Sequence, residues 1–74
     1  MNTQLTMDVW LTQMRTALAR KQAAKSTICN VVNDTIYSLA VEQETKANEL
    51  QDTHPYRALL HYDVAIRLYK TLTD

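Results

Sequence analysis

His54 and His61 are the only histidines in the chain, and Cys29 is the only cysteine. On one helix the seven-position separation of the histidines would amount to about 10.5 Å of rise, too far to share a metal ion. His54 precedes Pro55, which pushes it out of the helical region. Asp52, His61 and Asp63 are then the groups that could gather at this bend, and they lack a zinc-ligand spacing. His54 reads as a turn or capping residue and His61 as a partly exposed helix position. Cys29 has no histidine at a useful spacing and reads as a buried structural thiol. A helix beginning at Ser26 would place it in a first turn and make it more acidic. Glu42, Glu44 and Glu49 fall in a polar stretch rather than around a cleft. The chain contains no glycine, which removes phosphate-cradling loops, the dinucleotide fingerprint and the nucleophile elbow, each built on backbone that glycine provides. These residues point to no catalytic site, no metal and no cofactor, and so away from an enzyme.

Whatever the chain does, few elements can position it. With 74 residues, 46% of them apolar and 22% charged, it is one small domain near the limit at which a single core offsets chain entropy. Tight hairpins favour glycine, so a multi-stranded sheet is not expected and an all-α fold is. The net charge is zero but unevenly spread. Residues 1–33 hold Arg15, Arg20, Lys21 and Lys25 against Asp8, a balance of +3. Residues 34–54 hold Asp34, Glu42, Glu44, Glu49 and Asp52 against Lys46, a balance of −4, and residues 55–74 return to +1. Opposite halves should attract each other or a partner. The early basic residues project in different directions around a helix, so they form no stripe for nucleic acid. The single cysteine excludes an internal disulfide, the opening MNTQLTMDVW lacks the pattern of a secretory signal, and no apolar run approaches the ~20 residues of a membrane span. A cytoplasmic location without a membrane span is expected.

At 100° per residue, Met7, Trp10, Leu11, Met14 and Leu18 fall on one stripe, and Ile28, Cys29, Val32, Ile36, Leu39, Ala47 and Leu50 continue it. The intervening ARKQAAKS is rich in helix formers. The pattern predicts a first helix over about 6–50, with Thr6 as its cap. Lys21 and Lys25 interrupt the stripe, and TICNVVNDTI is a mediocre helix former, so the alternative is a three-helix bundle broken near Lys25-Ser26 with Ser26 as a cap. ELQDTHPY marks a turn over about 51–54, capped by Asp52 or Thr53. Pro55 suits the first position of a second helix running to about residue 72. No internal repeat is evident.

The last helix carries two apolar faces, Leu60, Val64, Leu68 and Leu72 on one and Leu59, Tyr62, Ile66 and Tyr69 on the other, and should lie against two neighbours. A 45-residue helix would be about 67 Å long and an 18-residue one about 27 Å. A simple hairpin would therefore leave Met7, Trp10, Leu11, Met14 and Leu18 in water, forgoing burial worth on the order of 10 kcal/mol. Either the chain folds back a third time or another chain, its own copy or a heterologous helical partner, covers that half and makes an oligomer. Trp10 between Met7 and Met14 is the leading anchor, with Tyr37, Tyr62, Ile66 and Tyr69 as further candidates.

In size, turn placement and the two-sided final helix PYRALLHYDVAIRLYKTL, the chain resembles the small helical co-chaperones of type III secretion needle subunits. That resemblance implies a non-enzymatic interaction factor that docks on a helical partner and shields apolar surface. A small inhibitor or adaptor of the kind phages and plasmids encode, or a small nucleic-acid-binding regulator, are the alternatives.

Overall fold

The first helical run ends at Lys25, and the cause lies in the hydroxyls that follow. Ser26 Oγ donates to the Ala23 carbonyl at 2.9 Å and Thr27 Oγ1 to the Ala24 carbonyl at 2.7 Å. Both side chains take up carbonyls at the end of the helix, and the Thr27 N–H bonds Ala24 as well, at 2.9 Å. Asn30 then adopts extended backbone, and its side chain accepts from the Asn33 N–H at 2.8 Å, capping the next helix. Asn33 in turn donates to the Thr27 carbonyl at 3.0 Å and closes the connection. Asp34 sits in the first turn of the new helix, where its charge complements the N–H dipoles.

The computed structural model describes residues 2–73, and side chains from residue 8 onward. It contains α1 (Asn2–Lys25), α2 (Val31–Leu50) and α3 (Pro55–Thr73), with no strand among the described residues. The continuous helix over 6–50 is thus replaced by two, and the three-helix arrangement holds, with Asn30 rather than Ser26 as the cap. The longest dimension is accordingly 45 Å. The second turn falls where Pro55 requires it. The Leu50 carbonyl accepts from Thr53 and His54 N–H groups, and the His54 carbonyl accepts from Ala58. Neither Asp52 nor Thr53 caps α3; Thr53 Oγ1 pairs instead with His54 Nδ1 at 3.0 Å.

The core is made of alanine and tyrosine in two layers. Ala17 of α1, Ala47 of α2, and Ala58 and Tyr62 of α3 form the first; Ala24, Ala40, Ala65 and Tyr69 form the second. All eight are fully buried. Every member of one layer lies seven residues from its counterpart in the other, so the layers are about 10.5 Å apart and repeat with the period of a coiled-coil seam. This seven-residue repeat escapes a reading that weights only large apolar letters. The pairing runs α1 parallel and α2 antiparallel to α3. Both pack on α3, as its two-sided apolar character requires, while α1 and α2 scarcely meet. Each layer groups one tyrosine of α3 with one alanine from each helix.

Candidate functional site

α1 presents Ala17 and Ala24 to the core and turns its large apolar side chains aside. Leu11, Met14 and Leu18 remain 46%, 36% and 51% exposed. With Arg15 of α1 and Glu44 and Asn48 of α2 they line an open groove of about 330 Å³ between the outer helices. The chain folds back a third time, yet Leu11, Met14 and Leu18 of the stripe it was expected to cover stay in water.

The polar wall of the groove is fixed from α3. The Tyr62 hydroxyl donates to Asn48 Oδ1, and the Tyr69 hydroxyl donates to Glu44 Oε1 at 2.8 Å. Lys21 Nζ lies 4.0 Å from the same carboxylate oxygen. This one contact joins the basic segment 1–33 to the acidic segment 34–54 within the chain. Burial, followed by the nearby Glu44 charge, pushes the Tyr62 phenol above its ordinary value. Burial, and then the hydrogen bond and charge of Glu44, push Tyr69 further in the same direction. Both hydroxyls therefore stay protonated donors.

The expected anchors separate into three groups. Leu11, Met14 and Leu18 are together on the surface. Trp10 is half-buried, its Nε1–H donating to the Pro55 carbonyl at 3.3 Å, so it ties α1 to the start of α3. Tyr62 and Tyr69 are completely buried, and Ile66 packs against the first layer; the two tyrosines are core residues rather than a docking surface. Tyr37 packs on Tyr69 with ring centroids 5.7 Å apart. The Met7 side chain lies outside the described residues.

Other expectations shift as well. Cys29, expected as a buried thiol, is exposed in the α1–α2 connection. Leu60 and Val64, assigned to a covered face of α3, are 66% and 42% exposed, and Val32 and Leu39 of α2 are exposed as well. His61 is half-buried in that bond, at 2.6 Å, and Asp63 pairs with Arg67 at 3.0 Å. No group of three or more His, Cys, Asp or Glu side chains among the described residues could hold a metal ion. No described helix is long and apolar enough to cross a membrane.

Asn48 was not singled out from the sequence, and Glu44, expected in a polar stretch away from any cleft, instead lines the groove. Their signal is positional, since they stand four residues apart on the α2 face that also presents Ala40 and Ala47. Comparison with family models, curated proteins and solved structures finds no match to this chain.

Proposed function

We propose that this protein is a non-enzymatic helical protein–protein interaction factor whose docking face is the outward side of α1 over the α1/α2 groove. One observation carries the reading: three large apolar side chains at helical spacing, Leu11, Met14 and Leu18, stay exposed although the chain had the means to bury them. Alanines occupy the inward positions instead, so the exposed stripe is not a by-product of a missing core. A groove with one apolar and one polar wall suits an amphipathic helix. A secretion co-chaperone and a host-protein inhibitor would both dock through such a face.

The test places a photocrosslinking phenylalanine analogue at position 18, and in a control at the exposed position 42, in cells of the source. The expected result is a discrete adduct from position 18 that disappears when Leu11→Asp is added, and none from position 42. No adduct from position 18, or the same ladder from both positions, overturns the reading.

A further inference from the structure

The exposed stripe of α1 is flanked by charge in a pattern that selects an occupant. Asp8 and Arg15 are both exposed and lie seven residues apart, hence on the same flank of the helix. Neither takes part in an ion pair among the described residues. We infer that α1 pairs antiparallel with α1 of a second copy of this chain, Leu11 and Met14 of each packing on Met14 and Leu11 of the other. This rests on the interaction reading above and names the partner.

The register follows from the spacing. When Leu11 of one copy is level with Met14 of the other, Asp8 of each comes within two residues, about 3 Å of rise, of the level of Arg15 in the opposite copy. Two opposite-charge pairs form on one edge of the contact, related by the two-fold axis. A parallel pair would instead put Asp8 and Arg15 of one copy on the opposite edge of the contact from those of the other, and neither opposite-charge pair would form. It would also stack Lys21 and Lys25, which continue the stripe, on their own copies. Antiparallel pairing forms both opposite-charge pairs and keeps the lysines apart. The other exposed apolar face, around Leu60 and Val64, has no comparable charge pattern to choose an occupant.

The experiment is the solution mass of the purified full-length chain by light scattering and sedimentation across a wide concentration range. A reversible monomer–dimer equilibrium is expected. Arg15→Asp alone and Asp8→Arg alone should each weaken dimerisation about tenfold, because two opposite-charge pairs become two like-charge pairs. The double variant, Asp8→Arg with Arg15→Asp, should restore it. Leu18→Asp should also weaken the dimer, with helix content unchanged by circular dichroism. A chain that stays monomeric at every concentration overturns the inference. So does a dimer that survives Leu18→Asp and is lost on Leu60→Asp, or one that the double variant fails to restore. The position-18 crosslink separates this from the broader reading: an adduct of twice the chain mass supports self-pairing, whereas an adduct to a different protein overturns it and leaves the interaction reading standing.

Discussion

The two core layers have the same composition and different wiring. In the first, Tyr62 donates to the amide of Asn48, a neutral group on an exposed residue. In the second, Tyr69 donates to the carboxylate of Glu44, Lys21 approaches that carboxylate from α1, and Tyr37 packs on the ring. The second layer therefore links all three helices through polar groups as well as through alanine contacts, and the first links only α2 and α3 that way. The same buried residue types thus set the geometry of both layers, and the charge-assisted bond, with the fuller apolar surround of Tyr37, Val41, Leu68 and Leu72 against Leu50 and Ile66, holds the second end more firmly.

Removing the rings is the most severe way to break this comparison. Tyr69→Ala should cost about 3–5 kcal/mol, as for other large aromatic truncations, and should exceed Tyr62→Ala by about 1 kcal/mol because Glu44 loses its donor. Denaturant titration of the two variants checks this; equal losses would mean that the wiring is irrelevant. Removing only the hydroxyl sharpens it. Tyr69→Phe should cost about 1.5–3 kcal/mol, against 0.5–1.5 for Tyr62→Phe. The same variant tests the pH dependence. Tyrosine in the unfolded chain releases its proton near its ordinary value of 10.0, while folded Tyr69 holds on above that. The unfolded state then binds fewer protons, so the contribution is fully present below pH 10 and falls as pH rises beyond it. Tyr69→Phe should flatten that alkaline decline in a denaturation series. The smallest effect belongs to Lys21→Ala, at most about 1 kcal/mol and reduced by salt, since the pair is long at 4.0 Å and partly solvated.

The helical class, the Pro55 boundary and the two neighbours of α3 could be read from the sequence because each follows from a local rule: no glycine, a proline after a polar cluster, and apolar side chains on two faces of one helix. The break after Lys25 was visible only as an alternative. It depends on Ser26 and Thr27 taking up carbonyls and on Asn30 capping, a choice that competes closely with continued helix. The core itself was misjudged for a physical reason. Large side chains dominate any count of transferable area, yet helices that approach closely around a tyrosine need small residues at the contact. Ala17 and Ala24, Ala40 and Ala47, and Ala58 and Ala65 carried the seven-residue signal while Leu11, Met14 and Leu18 drew the attention. For the candidate site the stripe was legible and its neighbours were not, since Glu44 and Asn48 reach it only through the packing of α2 on α3.

The near absence of contact between α1 and α2 also orders the assembly of the molecule in time. α2 and α3 are joined by a tight turn and meet along their length, so closing them involves a short loop and little lost chain entropy. α1 must find α3 across the whole of α2, and among its described side chains it contributes mainly two alanines, Trp10 and one long ion pair. It is therefore expected to dock onto a hairpin already formed and to be the first element to leave when the fold loosens, so that in hydrogen exchange the helix bearing the exposed stripe should lose protection first.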